Sequence, residues 1–324
     1  MPSHRTLAFA ALVWGAAAAL AGAALAQETK TVAVTAIVEH PALDAARKGI
    51  QDELAAAGYE DGRNLRFMFE SAQGNPATAA QIARKFVGDA PDVIVPISTP
   101  SAQAVVGATK DIPVVFTAVT DPIGAKLVSD LTRPGGNVTG MSDLSPIGLH
   151  LDLVRQIAPE TKRLGVIYNP GEANSMTLLE LIKREAPARG LEIVEAAAPR
   201  SADVLPAAQS LVGKVDAIYV PTDNTVVTAF EAVVKVGTEN RLPVFAGDTD
   251  SVARGAIAAL GFNYYDLGRQ TGQIVLRVLR GANPGEIPVE GVRITELYVN
   301  PGAAEAMGVT IPPDMLQRAK FVVD

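Results

Sequence analysis

The sequence predicts an α/β protein of two similar lobes, each built on a parallel sheet, joined by a hinge of several crossing segments. Strand and helix patterns alternate along the chain, which is typical of parallel sheets with helices on both faces. The stretch PDVIVPISTPS (91–101) returns as VDAIYVPTDNT (215–225), and each copy precedes a further strand, DIPVVFTAVTDP and then RLPVFAGDTDS. The second half thus repeats the first, and both lobes are expected to be Rossmann-like.

The first 26 residues are typical of an export signal. His4 and Arg5 precede an apolar run from Leu7 to Leu25, which ends in the A-x-A cleavage pattern of Ala24-Leu25-Ala26. A membrane anchor is the alternative, because the run approaches the length that spans a bilayer, but its Ala- and Gly-rich composition favours cleavage. The chain has no Cys, which excludes lipid attachment and disulfides. We expect the mature protein, 27–324, to be free in the periplasm.

Composition narrows the classes of function. Removing residues 1–26 takes away one basic residue and no acidic one, so the formal charge moves from −7 to −8. A mildly acidic chain without basic clusters is a poor nucleic-acid binder. The mature length suits about two domains. A monomer is the default for a protein whose lobes must open and close.

The opening elements of the two halves correspond. In the first half, the strand TVAVTAIVEH (31–40) is followed by a helix over 41–57, a stop at Gly58 and the strand NLRFMFESA (64–72). In the second half, RLGVIYNPGEANS (163–175) leads into a helix to about Ala188, a stop at Gly190 and the strand LEIVEAAA (191–198). Each pair of strands with its helix predicts one crossover unit of a parallel sheet.

Two segments are predicted to cross between the lobes. The stretch TRPGGNVTGMSDLSP (132–146) is rich in turn-forming residues, and a second crossing is expected within 256–265, before a long helical pattern. The tail contains one strand, ITELYVN, and a short helical piece, AAEAM. We therefore assign 27–138 and about 258–290 to lobe 1, and 139–257 and about 291–324 to lobe 2. Crossings that lie close together make a hinge.

Polar residues follow the predicted strands at the end where ligands of open α/β sheets bind. Any one of them could simply cap a helix, since Ser, Thr, Asp and Asn are the preferred N-caps. As a set they predict a ligand cleft between the lobes. The candidate ligand-binding residues are Ser98, Thr99, Pro100, Ser101, Ala102, Thr117, Thr120, Asp121, Asn169, Asn174, Ser175, Thr222, Asp223, Asn224, Asp248 and Asp250.

The candidates divide by chemistry. Ser98, Thr99 and Ser101 open a helix, where free N–H groups favour an anion; we expect them to bind a ligand carboxylate, with Thr117 or Thr120 beside them. A cationic amine needs a carboxylate, which Asp223, Asp248 and Asp250 of lobe 2 could supply. A zwitterion bound at both ends would hold the lobes together.

Aromatic residues near the cleft could stack on a planar ligand. Packing between lobes or against a helix is the alternative for each ring. His40, near the same cleft, is expected to be a hydrogen-bonding group or a bystander rather than a metal ligand. The aromatic candidates are Tyr168, Phe262, Tyr264 and Tyr265.

Catalytic motifs are few. GDTDS (247–251) superficially matches the loop of aspartate-nucleophile phosphatases, in which Asp248 would attack, but it ends a late strand. Neither G-x-G-x-x-G nor G-x-S-x-G is present, and metal-ligand spacings of Cys and His are absent from the sequence. The sequence therefore predicts a binder that is not an enzyme and has no cofactor or metal.

Four segments carry a resemblance to a known family: GYEDGRN (58–64), STPSAQA (98–104), TDPIGAKLVSDLTRPGGNVTG (120–140) and VPTDNTV (220–226). The chain resembles the periplasmic substrate-binding proteins of ABC transporters, in the family that includes tryptophan- and tyrosine-binding members. The resemblance implies a type I periplasmic binding fold with three crossovers. It also implies a cleft lined by 98–102, 120–122, 169–175, 221–224 and 247–250, and an amino-acid-like ligand, aromatic or not.

Three functions follow as expectations. The favoured one is a receptor that binds a small amino acid or related carboxylate, closes, and docks on an ABC permease in the inner membrane. The second is a ligand-sensing module that presents its closed lobes to a signalling receptor. The third is a hydrolase that uses Asp248.

Overall fold

The structure, a computed structural model, describes residues 29–292 and 295–323. The predicted export signal, 1–26, lies outside the described residues. Within the described ranges, no helix combines the length and apolar character needed to cross a membrane.

The first lobe is built on a six-stranded sheet in which every neighbouring pair is parallel. Its strand order is β2-β1-β3-β4-β5-β11. The strands are β1 Lys30–Ala36, β2 Leu65–Ser71, β3 Val93–Ile97, β4 Val114–Val119, β5 Val138–Ser142 and β11 Glu290–Gly291. The helices of this lobe are α1 Pro41–Ala56, α2 Pro76–Asp89, α3 Thr99–Ala108 and α10 Tyr264–Leu279.

The second lobe has a seven-stranded sheet in the order β13-β12-β10-β9-β8-β6-β7. Its pairs are parallel except for β10 with β12. The strands are β6 Arg163–Tyr168, β7 Glu192–Ala197, β8 Ala217–Val220, β9 Val244–Ala246, β10 Ala258–Gly261, β12 Glu296–Val299 and β13 Phe321–Val322. The helices are α4 Ile147–Ile157, α5 Ala173–Glu185, α6 Val204–Leu211, α7 Asn224–Thr228, α8 Phe230–Asn240, α9 Asp250–Ala253, α11 Pro301–Ala306 and α12 Pro313–Arg318.

Each lobe has its own apolar core. The central strands are buried almost continuously, as β3 and β4 show with every residue buried, because helices cover both faces of a parallel sheet. Phe86 and Phe116 are fully buried in the first core, and Phe230 and Phe245 in the second. The predicted α/β fold of two Rossmann-like lobes is confirmed.

Both sheets change direction at the same place in their topology. In the order 2-1-3-4-5 the chain turns outward between β1 and β3, and in the second lobe between β6 and β8. Ligands of such sheets bind beyond the carboxyl ends of the strands at this switch point. The loops after these four strands carry His40, Ser98, Asn169 and Thr222.

The crossings differ from the predicted boundaries in two places. We predicted that lobe 2 begins at 139, but β5 pairs with β4 in the first sheet, so the chain crosses after Ser142. We also predicted that lobe 1 resumes near 258, but β10 pairs with β9 and β12 in the second sheet, and only α10 returns. Between β11 and β12 the chain passes to the second sheet once more. Asp143 therefore lies on the first crossing, and Tyr264 follows the second.

Candidate functional site

A cavity lies between the carboxyl ends of the two sheets. It is narrow, with about 20 Å³ accessible to the centre of a water molecule, and is lined from both lobes. The lining includes six of the predicted residues, and within the described ranges no Lys or Arg contributes to it. The residues that line it are His40, Ala42, Leu43, Ala118, Thr120, Asp143, Asn174, Thr222, Asp223, Asn224, Val227, Asp248 and Tyr264.

The start of α3 has strained backbone and unpaired hydroxyls. Ser98, the N-cap, has φ 75° and ψ 161°, a conformation that costs a non-Gly residue free energy and is often found at functional sites. The hydroxyls of Ser98, Thr99 and Ser101 are buried and find no hydrogen-bond partner in the described part of the chain. Buried polar groups are normally paired, so three unpaired hydroxyls on one turn keep hydrogen-bonding capacity that the described residues do not use.

These three residues do not line the cavity itself. They follow β3, and the Ser98 amide donates to the carbonyl of Thr117 on β4 at 2.9 Å. The end of β4 does reach the cavity, through Ala118 and Thr120. The predicted carboxylate-binding turn therefore stands beside the cavity wall. Pro100 and Ala102, on the same turn, are half-buried and buried without lining the cavity.

Two predicted ligand-binding residues of the first lobe make hydrogen bonds within that lobe and do not line the cavity. The Thr117 hydroxyl is hydrogen-bonded to that of Thr271 on α10 at 2.7 Å. The Asp121 carboxylate accepts a hydrogen bond from the Gly124 amide at 2.8 Å, in the turn after β4. Neither lines the cavity, because the strand ends before Asp121 and Thr117 faces α10.

In the second lobe a buried carboxylate orients residues of the cavity wall; it lies within the predicted segment 169–175 but was not one of the individual candidates. Glu172 is 7% exposed and accepts hydrogen bonds from the side chains of Asn174 at 3.2 Å, Asn224 at 2.6 Å and Thr225 at 2.7 Å. It therefore fixes two amides that line the cavity. The residue lies in the turn NPGEANS, where a glutamate is ordinarily exposed.

The carboxylate of Asp223 caps α7. It accepts from the amides of Val226 at 2.9 Å and Asn169 at 2.6 Å and from the Ser175 hydroxyl. Burial, reinforced by the nearby Glu172, raises the pKa of Asp223 to about 7. Asn169 and Ser175 thus stabilise the fold through hydrogen bonds to Asp223. Asp223 lines the cavity, but most of its acceptor positions are already occupied by these hydrogen bonds.

Two polar atoms of this lobe remain open to a ligand. Asn174 Oδ1 and Thr222 Oγ1 are buried without a partner among the described residues, and both side chains line the cavity. The amide of Asn174 is held from its other end, since its nitrogen donates to Glu172 and to the Thr222 carbonyl. Its oxygen is therefore presented as a fixed acceptor.

The GDTDS segment is also built around a cap. Asp248 lines the cavity, but its two oxygens accept from the amide and the hydroxyl of Ser251 at 2.9 and 2.7 Å, and burial raises its pKa. Asp250 is half-buried and does not line the cavity, and burial followed by the charge of Asp248 raises its pKa to about 6. The arrangement is that of a helix start, not of an exposed nucleophile.

Asp143 and Tyr264 meet at the hinge, and Asp143 was not among the residues predicted from the sequence. The Tyr264 hydroxyl donates to Asp143 Oδ2 at 2.9 Å, and the Thr120 hydroxyl donates to Oδ1 at 3.2 Å. Burial raises the pKa of Asp143 to about 6. Tyr264 had been one of four aromatic candidates, and it is the one that lines the cavity. Asp143 was not singled out because 132–146 was predicted only as a crossing segment rich in turn-forming residues.

His40 faces the same space from the end of β1. Its Nδ1 is buried without a partner in the described ranges, and burial, with Arg254 as a second cause, lowers the pKa of the imidazole well below its usual value. The ring is therefore neutral at physiological pH and can accept or donate one hydrogen bond.

Comparison with known proteins decides the family. The family model described as ABC transporter substrate binding protein matches residues 31–323. This chain belongs to the ABC transporter substrate-binding proteins. The membership that the sequence resemblance implied is confirmed.

Relatives of this substrate-binding protein carry more specific descriptions. A tyrosine-binding protein of Clostridioides difficile (strain R20291) is 43% identical over 281 residues, which cover 87% of this chain and 81% of the relative. A crystal structure of an ABC domain in complex with L-Trp, from Streptococcus pneumoniae, is 37% identical with a TM-score of 0.88, covering 91% of this chain and 100% of the other.

A third structure differs in the arrangement of its lobes. It is the ligand-free, open structure of a substrate-binding protein with adhesive properties from Clostridium difficile, 41% identical, covering 91% of this chain and 99% of the other. Its TM-score is only 0.68. Since the identity is as high as to the L-Trp complex, the difference reflects conformation more than sequence. This substrate-binding protein therefore shares the lobe arrangement of a liganded relative.

Proposed function

We propose that this substrate-binding protein is the periplasmic receptor of an ABC importer and binds a single amino acid with an aromatic side chain in the cavity between its lobes. The observation that carries the proposal is the composition of the cavity wall. It combines buried carboxylates and fixed neutral hydrogen-bonding groups with an apolar patch, and it has no Lys or Arg among the described residues. Such a wall suits a small ligand that brings its own positive charge.

The ligand carboxylate is assigned to the turn that opens α3. The free amides of a helix N-terminus favour an anion, and the unpaired hydroxyls of Ser98, Thr99 and Ser101 add donors there. Thr120, at the end of the adjacent strand, lines the cavity and lies between this turn and the hinge. The sequence prediction for the carboxylate end is kept as part of the proposal.

The side chain of the ligand is assigned to the apolar part of the wall. Ala42 and Leu43 at the start of α1, Val227 on α7 and the ring of Tyr264 contribute it. Phe262 packs on Tyr264 with ring centroids 5.3 Å apart. An aromatic ring and aliphatic groups together suit a planar apolar side chain, which agrees with the ligands named for the two relatives.

Closure of the two lobes around the ligand is the step that links binding to transport. A ligand that contacts both lobes stabilises the closed arrangement, because those contacts exist only in that state. We infer that residues 1–26 direct export, that the mature protein acts as a monomer without catalytic turnover, and that an inner-membrane permease recognises the closed form. The capping role of Asp248 supports a binder over a hydrolase.

The proposal is tested with mature protein, residues 27–324, screened by thermal shift against the twenty L-amino acids and then by calorimetry. We expect L-Tyr, L-Trp or L-Phe to bind with a dissociation constant of about 0.1 to 10 µM. At about 100 times that constant the ligand adds about 2.7 kcal/mol of stability. D-isomers and sugars serve as controls. Binding of sugars or polyols, with silence from every amino acid, would refute the proposed ligand class.

A further inference from the structure

Asp143 is a buried carboxylate that has no cationic partner among the residues the structure describes. It is 4% exposed and accepts only two side-chain hydrogen bonds, one on each oxygen, from the neutral hydroxyls of Thr120 and Tyr264. A carboxylate offers about four acceptor positions, so roughly half remain open. No Lys or Arg pairs with it within the described ranges. An unpaired buried charge is costly, and a protein that keeps one in a cavity wall gains from a cation that arrives there.

The other carboxylates near the cavity are already engaged. Asp223 accepts three hydrogen bonds from its own lobe, and both oxygens of Asp248 are bonded to Ser251. Glu172 serves the amides of the second lobe and does not line the cavity. Asp250 does not line it either. Asp143 is therefore the carboxylate that best combines access to the cavity with free acceptor positions.

We propose that Asp143 binds the cationic amine of the ligand, and that the ammonium group thereby docks on the hinge rather than on the aspartates of the second lobe. This inference rests on the proposed amino-acid ligand and adds the residue that distinguishes amino acids from simple carboxylates. It departs from the expectation, drawn from the sequence, that Asp223, Asp248 and Asp250 supply the counter-charge.

The position of Asp143 links this contact to the conformation of the lobes. Asp143 follows β5 on the first crossing, whereas Tyr264 opens α10 directly after the second. Their hydrogen bond at 2.9 Å joins the two crossings. A cation placed on Asp143 strengthens its ionised state, in which both oxygens accept, and so favours the hydrogen bonds that hold the crossings together. Binding of the ligand amine at the hinge thus favours the closed arrangement of the lobes.

The test compares two ligands that differ only in the amine. L-Tyr and L-Trp are titrated by calorimetry against their desamino analogues, 3-(4-hydroxyphenyl)propionate and indole-3-propionate. Wild-type protein should prefer the amino acid by about 100-fold or more, the scale of a buried charged hydrogen bond. In Asp143→Asn the affinity for the amino acid should fall and the preference should shrink to about 5-fold or less, because only the amine contact is removed.

Asn is isosteric with Asp and removes an unpaired buried charge, so the variant is expected to fold; circular dichroism and thermal unfolding check this. Should it not fold, Asp143→Glu, which keeps the charge but displaces it, should lose affinity by about 10-fold for the amino acids and little for the analogues. Asp216→Asn is the matched control, since Asp216 accepts from Lys162 and Arg163 at the far end of β8 and should leave both affinities unchanged.

Each outcome has a distinct meaning. A wild-type protein that binds the desamino analogues as tightly as the amino acids overturns the inference. So does an Asp143 variant, folded, that keeps the full preference; in that case Asp248→Asn should lose it instead. If the wild-type protein binds neither amino acid nor analogue, the proposed ligand class fails first and the assignment of Asp143 fails with it.

Discussion

At the scale of single residues, the buried polar groups of the cleft fall into two sets. Asp223, Glu172 and Asp248 are satisfied by their own lobe, whereas Thr99 and Ser101 keep unpaired hydroxyls. A buried group without a partner destabilises the free protein. We propose that a ligand completes the second set, and the two sets should then respond oppositely to truncation.

The double variant Thr99→Ala with Ser101→Ala tests this at the carboxylate end. We expect amino-acid affinity to weaken by about 1 to 3 kcal/mol, because the ligand carboxylate loses donors. Stability of the free protein should be unchanged or slightly higher, because the hydroxyls have no partner to lose. Calorimetry and urea unfolding measure the two quantities.

Thr109→Ala is the contrasting control. The Thr109 hydroxyl accepts from the amides of Asp111 and Ile112 at the end of α3 away from the cleft. Its removal should cost about 1 kcal/mol of stability and leave affinity intact. A double variant that loses stability but keeps affinity would show that the turn opening α3 is structural.

Sequence reasoning reached part of this site. The strand ends and their polar residues were predictable, because periodicity marks strands and the topology brings their carboxyl ends together. The sequence did not predict which of these polar groups cap helices, since a capping Asp and a ligand-binding Asp look alike in sequence. Asp143 was not among the candidates, and Glu172 was covered only as part of the segment 169–175, because burial of a charge depends on three-dimensional neighbours, which no local pattern records.

At the scale of elements, the return of α10 to the first lobe depends on close helix packing. A Cβ at Gly268 would lie 2.0 Å from the carbonyl oxygen of Ala46, and one at Gly49 would lie 2.2 Å from that of Tyr265. Helices α1 and α10 thus touch backbone to backbone. Because α10 follows the second crossing, this contact also fixes the position of Tyr264.

Gly268→Ala should therefore destabilise the protein by about 2 kcal/mol or more, since the helices must separate. The matched variant Gly88→Ala, on an exposed part of α2 with nothing within 4 Å of the added carbon, should be neutral or stabilising by about 0.5 to 1 kcal/mol. Urea unfolding of both proteins gives the comparison. Equal stability of the two variants would show that the contact between α1 and α10 is looser than described.

The element boundaries show where local patterns fail. The sequence of β5, VTGMS, was predicted to be a loop because the strand is short and lies within a stretch rich in turn-forming residues. It forms a strand because Gly140 lets the chain approach Phe116, whose carbonyl oxygen would be 2.1 Å from an added Cβ. The requirement lies in the neighbouring strand, so the sequence of β5 alone does not reveal it, and the predicted lobe boundary was displaced accordingly.

At the scale of the whole molecule, closure is the central claim. The lobe arrangement matches a relative in complex with L-Trp at a TM-score of 0.88 and an open, ligand-free relative at 0.68. The crossings carry Asp143 and Tyr264, and the cavity is lined from both sides. A ligand that contacts α3, the hinge and Asn174 at once stabilises only the closed arrangement.

Small-angle X-ray scattering of the mature protein, with and without saturating L-Tyr or L-Trp, tests this claim most directly. We predict that the amino acid lowers the radius of gyration by on the order of 1 Å, as expected for hinge closure, and that Asp143→Asn at the same ligand concentration shows no decrease. A wild-type protein that binds the amino acid without any change in its scattering profile would contradict closure around the ligand.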